Sequence, residues 1–402
     1  MHLKFLELKN FRLFSEFALQ IPNKMILITG VNAQGKTTLL EAIYYLATFS
    51  SFHASSDRQL IQFTQGRDLK SAEIHGIFER NKDHHLDVFM VLDRDKNNLP
   101  RFRKQIKYDT QTYKINEAIG KFNAVLFLPD MTQIIDGAPE LRRKYIDMVI
   151  AQAKPRYLVQ LTQYNQVLQQ RNALLKSINE GTAKPTHLEV WDMKLAQLGA
   201  FLIKTRDTIL QELEIESHNN HFLLSHGMES LTIRYQPSFD PALLEDNQSQ
   251  LLSNEQTNAI VSRDHLSKKD IEQLFLTALQ TNHKTDIQRG VTTSGPHRDE
   301  VRFLSNNADL GYFGSRGQIR TALISLKLAE STWLEKTTGH KPVLLFDEVL
   351  AELDSQRRND LLEHLTNSHQ VFLTTTNANL FAGEYQKLCD IWEIKNGIVK
   401  TA

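Results

Sequence analysis

Gly30-Val31-Asn32-Ala33-Gln34-Gly35-Lys36-Thr37 is the stretch from which the rest of this chain is read. It fits Gly-x-x-x-x-Gly-Lys-[Ser/Thr], a loop whose backbone amides cradle phosphates. Its flanks agree: Met25-Ile26-Leu27-Ile28-Thr29 reads as a short buried strand, and Thr38 to Ala47 as a helix. Strand, glycine loop and helix N-terminus together form an anion site, because free amides point at the ligand and the helix dipole favours negative charge. The eight loop residues and Thr38 are the candidate nucleotide-binding set. Lys36 is expected to reach the outer phosphates and Thr37 to ligate Mg²⁺, so ATP and Mg²⁺ are the expected cofactors.

Composition bounds the rest. A chain of 402 residues is longer than one typical domain, so two lobes are expected. Hydrophobic residues at 41% and charged residues at 23% match a soluble globular protein. No run of about 18 apolar residues exists, so no membrane span is expected. The start, Met1-His2-Leu3-Lys4-Phe5, lacks the apolar core of a signal peptide. Cys389 is the only cysteine, which excludes an intrachain disulfide and a cysteine zinc cluster and suits a reducing cytoplasm. Lys and Arg number 47, as do Asp and Glu, so the whole-chain basic signature of a nucleic-acid binder is missing. Any DNA site must be a local patch or be assembled by pairing two subunits.

Along the chain, Leu3, Phe5, Leu6-Glu7-Leu8 and Phe17 to Ile21 read as strands leading to the P-loop strand. Ala72 to Phe78 and Leu86 to Leu92 alternate as further strands, with a polar turn between Asp93 and Leu99. Ala124 to Leu128, closed by Pro129, is a compact buried strand. The pattern then changes. Tyr157, Leu161, Tyr164, Leu168, Leu175 and Ile178 recur at steps of three and four, with Arg171 in one slot. Trp191, Leu195, Leu198, Leu202 and Ile209 do the same, with Thr205 in one slot. The turn cluster Asn179 to Pro185 between them predicts an antiparallel helical hairpin over about 156–215. Its arms of about 22 residues would be roughly 33 Å long. Residues 236–262 read as an irregular surface loop, and Ser267-Lys268-Lys269-Asp270 as a helix cap. The last third returns to α/β patterning. The expected architecture is one α/β head from 1–128 and 290–402, with a mostly helical lobe inserted at 129–289.

The chemistry clusters in the last third. Val343-Leu344-Leu345-Phe346-Asp347-Glu348 places two acids after four apolar residues, a Walker B pattern. A strand carrying them ends beside the nucleotide, so Asp347 is expected to hold Mg²⁺. Glu348 is expected to orient and polarise the attacking water. The bland alternative, a buried strand ending in two solvated acids, loses ground beside a P-loop. Gly314-Ser315-Arg316-Gly317-Gln318 opens a helix and resembles the signature motif of ABC-type ATPases, with Arg316 and Gly314 departing from the usual Leu-Ser-Gly-Gly-Gln. In isolation Ser-Arg-Gly-Gln is also a generic N-cap. Glu352-Leu353-Asp354 matches the D-loop of that superfamily. Thr374-Thr375-Thr376-Asn377 stands where transporters carry a switch histidine; His369 precedes the strand. These residues either bond the γ-phosphate or its water, or simply end a strand.

The chain as a whole resembles the RecF recombination mediator family. Beyond the motifs above, the family-like blocks are Leu8-Lys9-Asn10-Phe11-Arg12, Leu40 to Leu46, Gly137 to Arg143, Tyr164 to Asn172 and Thr293-Ser294-Gly295-Pro296-His297-Arg298-Asp299. The last two are the most specific. The resemblance implies an ABC-type ATPase head resembling that of SMC proteins, in a cytoplasmic protein of recombinational repair and replication restart linked to the SOS response. It implies an ATP-dependent homodimer that binds gapped DNA at single-strand/double-strand junctions. With RecO and RecR, such proteins load RecA on strands coated with SSB, and slow hydrolysis releases the DNA. Carried over by motif, Gly35, Lys36 and Thr37 bind nucleotide and metal, Asp347 ligates Mg²⁺, and Glu348 and Lys36 are catalytic. Ser315, Arg316, Gly317 and Gln318 act in trans, Asp354 couples the subunits, and Arg12 lies near phosphates or ribose. The chain departs from the family at Glu348, often aspartate, and at His53, often arginine. The Q-loop residue is either Gln133 or Asp130.

Two basic clusters are candidate DNA contacts: Arg101, Arg103 and Lys104 in a stretch mixed with apolar residues, and Arg142 with Arg143. Either also reads as a solvated face. His297 is expected to be structural or interfacial, since one histidine with scattered carboxylates gives no metal spacing. The Gly295-Pro296 turn is expected to set Arg298 and Asp299 between head and lobe. Two other readings compete. A transporter ATPase subunit leaves the inserted hairpin unexplained, and a structural SMC-type tether needs far longer arms.

Overall fold

The computed structural model describes residues 1–62, 70–97, 99–242, 263–366, 370–376 and 389–401. They form two compact units: Met1–Met131 with Ala151–Pro155 and Ile324–Ala402, and Thr132–Ile150 with Arg156–Leu323.

Among the described residues the first unit holds two six-stranded sheets. One has the spatial order Ile398–Thr401, Cys389–Lys395, Met25–Thr29, Val371–Thr375, Val343–Asp347 and Ala124–Phe127. Its last five strands run parallel, and only the Ile398–Thr401 edge is antiparallel. Ala124–Phe127, Val343–Asp347 and Val371–Thr375 are buried at every position. That explains their unbroken apolar runs: a parallel strand covered on both faces has no solvent side to make polar. In register, Asp347 lies beside Thr374 and Thr375 beside Thr29, so the carboxyl ends of three strands come level. Ligands of open α/β sheets bind at that end.

The other sheet is antiparallel, in the order Phe14–Gln20, His2–Phe11, Lys70–Arg80, Lys82–Arg94, Pro100–Tyr108 and Gln111–Tyr113. A bulge between Leu3 and Phe5 resets the alternation, so that Leu3, Leu6 and Leu8 share the buried face. Gly76 marks where this sheet meets the P-loop helix, Lys36–Thr48. A Cβ there would stand 2.7 Å from Leu46 Cδ1. The polar turn after Arg94 is present; Asn98 lies outside the described residues.

In the second unit the hairpin arms are helices Pro155–Asn179 and Glu189–Leu224, and the second runs 36 residues, well past the expected 215. Arg171, the polar intruder in the seam, is fully buried. It donates to Asp192 at 2.8 Å, Asp286 at 2.7 Å and Thr292 Oγ1 at 2.8 Å. The predicted cap is a reciprocal capping box at Ser267 and Asp270, opening Lys268–Thr281 with Ile271, Phe275 and Leu279 buried. Residues 243–262 of the expected surface loop lie outside the described residues.

The expected boundary at 289/290 needs correction, because residues 290–323 belong to the second unit. Strand Glu300–Ser305 pairs antiparallel with Leu231–Gln236, and with Ala308–Asp309 makes a three-stranded sheet. Asp299, fully buried, accepts from Arg206 at 3.0 Å, from Ser238 N at 3.0 Å and from Tyr235. These partners tie the segment to the inserted lobe. Residues 151–155 go the other way: Asn123 Nδ2 donates to Gln152 O at 2.8 Å, and Ala124 N to Gln152 Oε1 at 3.1 Å.

Candidate nucleotide site

The P-loop leaves the Met25–Thr29 strand through Gly30, whose φ is +151° and whose Cβ, if present, would stand 2.5 Å from Ile394 O. Gly35 enters the helix at φ +114°. Both positions demand glycine. Gln34 holds the loop against the C-terminal hairpin: its Oε1 accepts Asn396 N at 2.6 Å and its backbone O accepts Gly397 N at 3.1 Å. Its side chain is thereby committed within the protein, while Val31 stands exposed.

Lys36 is buried, and its Nζ donates to Gly30 O at 2.7 Å and Val31 O at 3.3 Å. The same nitrogen lies 3.2 Å from Glu348 Oε1. Thr37 Oγ1 donates to Asp347 Oδ2 at 2.8 Å, so the two expected metal ligands are neighbours. A hydroxyl and a carboxylate are hard oxygen donors of the kind Mg²⁺ takes, together with phosphates and water. Residues far apart in sequence thus converge as the motifs predict.

Thr374 organises the acids. Its Oγ1 donates to Asp347 Oδ1 at 2.6 Å and accepts Glu348 N–H at 3.0 Å. Thr376 N–H donates to Glu348 Oε2 at 3.2 Å. Glu348 itself sits at φ +55°, a left-handed conformation that costs of order 1 kcal/mol or more for a residue with a Cβ. Such strain concentrates at functional sites. The residues expected to bond a γ-phosphate therefore include one that aligns the two acids instead; Asn377 and His369 lie outside the described residues.

Arg12, also left-handed at φ +50°, pairs with the buried Glu41 of the P-loop helix, its Nη2 donating at 2.7 Å. Ser51 Oγ donates to the same carboxylate. Asp354 is exposed and caps helix Ser355–Thr366 through Arg357 N at 2.9 Å; that bond holds its carboxyl below the ordinary range. In the second unit, Ser315 N–H donates to Gln318 Oε1 at 2.9 Å and Gln318 N–H to Ser315 Oγ at 3.2 Å, opening the helix Arg316–Thr338. Ser315, Arg316 and Gly317 are exposed. Of the Q-loop candidates, Asp130 and Gln133 are both exposed.

The candidate DNA contacts are largely committed elsewhere. Lys104 Nζ donates to Tyr45 OH at 2.9 Å, Phe49 O at 2.8 Å and Asp57 at 2.6 Å. Arg142 is buried in a two-bond pairing with Glu300, both at 2.8 Å. Both are corrected from DNA contacts to structural cations. Arg143 donates to Asp299 O at 2.6 Å, Arg103 pairs with Asp93, and Arg101 is exposed. His297 is structural, as expected. Its Nδ1 accepts from Tyr164 OH at 2.8 Å and its Nε2 faces Thr292 O at 3.2 Å; burial pushes its pKa down to about 4. Arg298 is exposed, and Asp299 finds its partners Arg206, Tyr235 and Ser238 within the second unit.

Fold and site define an ABC-type ATPase head with a P-loop and a strand-borne acid pair. Residues 2–400 match the family described as RecF/RecN/SMC N terminal domain. The DNA replication and repair protein RecF of Streptococcus gordonii is 37% identical over 400 residues, 100% of each chain. That of Streptococcus thermophilus is 36% identical over 399 residues, 99% of this chain and 98% of its own. A solved structure of the recombination mediator protein RecF with ATP in the RecFOR pathway superposes with a TM-score of 0.83 at 31% identity, covering 100% of this chain and 97% of that one. The chain belongs to the RecF family.

Proposed function

We propose that this chain is an ATP-switched DNA-binding protein of recombinational repair and replication, active in the cytoplasm. The observation that carries the reading is the convergence of Lys36, Thr37, Asp347 and Glu348 at the carboxyl ends of adjacent parallel strands. Lys36 exchanges its loop carbonyls for the outer phosphates of ATP. Thr37 and Asp347 hold Mg²⁺, which when bound neutralises phosphate charge. Glu348, fixed by Thr374 and Thr376, accepts the proton of the attacking water. The Ser315 hydroxyl and the N–H groups of the exposed Arg316 and Gly317 complete the site of a second copy across an ATP-dependent homodimer, with Asp354 at the subunit contact. Closing favours gapped duplex DNA at its junctions, and slow hydrolysis reopens the dimer. RecR and RecO are the direct partners, RecA and SSB the indirect ones. No described helix is long and apolar enough to cross a membrane, which suits this reading.

The test is light-scattering mass of Glu348→Gln with and without ATP-Mg²⁺, alone and with a gapped duplex. The mass is expected to double with ATP and to carry the DNA along, while Lys36→Met does neither. A Glu348→Gln protein that stays monomeric in every condition defeats the trans assignment of Ser315–Gln318.

A further inference from the structure

The Gln318 side chain has an acceptor on one arm and donors on the other, and its partners decide which arm points where. Here the partners differ in kind. Ser315 N–H, a donor only, lies 2.9 Å from Oε1; a carboxylate oxygen of Glu229 lies 3.0 Å from Nε2. Turning the amide over would oppose donor to donor at one end and acceptor to acceptor at the other. With the amide held, Gln318 N–H donates to Ser315 Oγ at 3.2 Å. That hydroxyl then accepts inward, and its own proton remains for a ligand outside the exposed helix start.

Glu229 is held from several sides. Its second oxygen accepts from Ser305 Oγ at 3.1 Å and from Nε2 of the fully buried His221 at 3.2 Å. Its backbone N–H donates to Ser225 Oγ at 3.2 Å, and that hydroxyl donates back to Glu229 O at 3.3 Å. Burial pushes the Glu229 carboxyl up, but the hydrogen bonds from Gln318, Ser305 and His221 prevail and leave it below the ordinary range. A carboxylate near an anion site is unfavourable unless its charge is spent on donors, and this one faces three.

We infer that Glu229 is a positioning residue for the Ser315–Gln318 motif, orienting the Gln318 amide so that Ser315 offers its hydroxyl proton to a phosphate oxygen. The inference rests on the reading of that motif as half of a phosphate site in trans. Glu229→Ala and Glu229→Gln in the full chain test it with three measurements. These are affinity for a fluorescent ATP analogue, mass with ATP-Mg²⁺, and amide hydrogen exchange across residues 314–320 without nucleotide. Glu229→Ala is expected to bind nucleotide like the parent, to close the dimer at least ~10-fold more weakly, and to exchange faster at Ser315 and Gln318. Glu229→Gln keeps an acceptor oxygen and recovers part of both losses; it also carries the comparison if the alanine variant fails to fold. Parental closure, or parental exchange across 314–320, in either variant that folds as the parent does and lacks the carboxylate overturns the inference. If the parent itself never dimerises with ATP, the trans reading fails, and exchange alone decides whether Glu229 pins the motif.

Discussion

Thr374 shows how much one side chain does at this site. Its hydroxyl spans the two Walker B acids, donating to Asp347 and accepting from the strained Glu348 backbone. Thr374→Ala removes both bonds at a buried position, which should cost about 1–3 kcal/mol of stability. It should also slow single-turnover ATP hydrolysis by ~10-fold or more, because Glu348 loses the anchor of its left-handed turn, while nucleotide affinity stays near that of the parent. Thr374→Ser should restore most of both. An alanine variant that hydrolyses ATP at the parental rate would show that Glu348 needs no such anchor. The sequence could not single out this residue, since three identical threonines follow one another at 374–376. Strand register does, by setting Thr374 beside Asp347.

Among elements, legibility followed burial. Four of the five parallel strands were plain because their faces are dry, and the P-loop helix because its motif fixes its start; the fifth, Cys389–Lys395, is part-exposed and carries no unbroken apolar run. The hairpin was readable from periodicity, although Arg171 interrupts the seam: its two aspartates and a threonine come from elsewhere in the chain, and no local pattern announces them. Two members of the basic clusters were hard to read for the same reason. Lys104 and Arg142 look solvated in sequence, but their carboxylate partners stand 47 and 158 residues away. The block around His297 repays the same scrutiny. Tyr164 on the first hairpin arm donates to a histidine that burial keeps neutral, with a pKa near 4 against an ordinary 6.5. In the unfolded chain this histidine takes up its proton near pH 6.5; in the folded chain it does so only near pH 4. Its contribution is therefore complete above pH 6.5, falls as pH drops through that window, and levels off below about 4, for a total of about 3 kcal/mol. Urea midpoints across pH 4–7 should decline more steeply for the parent than for His297→Gln. Parallel curves would mean that His297 is not the group responsible.

At the scale of the whole molecule, charge sets the terms on which DNA is held. Positive and negative side chains balance, 47 against 47, and Lys104 and Arg142 spend their donors inside the protein. With no net positive charge on the chain, non-specific binding of a phosphate backbone by one copy should be weak. In the proposed ATP-closed dimer, two copies would present twice the number of cations at once, without any new basic residue. The salt dependence of binding counts these contacts. For duplex DNA, the logarithm of the binding constant falls against that of salt by ~0.9 per neutralised phosphate. The slope for Glu348→Gln with ATP-Mg²⁺ on a gapped duplex should therefore be about twice that of Lys36→Met, which cannot close. At moderate salt the closed form should bind at least ~10-fold more tightly. Fluorescence anisotropy over a salt series measures both quantities on the same samples. Equal slopes with unequal affinities would place all the contacts on one copy, with ATP changing the shape of that surface rather than the number of cations on the DNA.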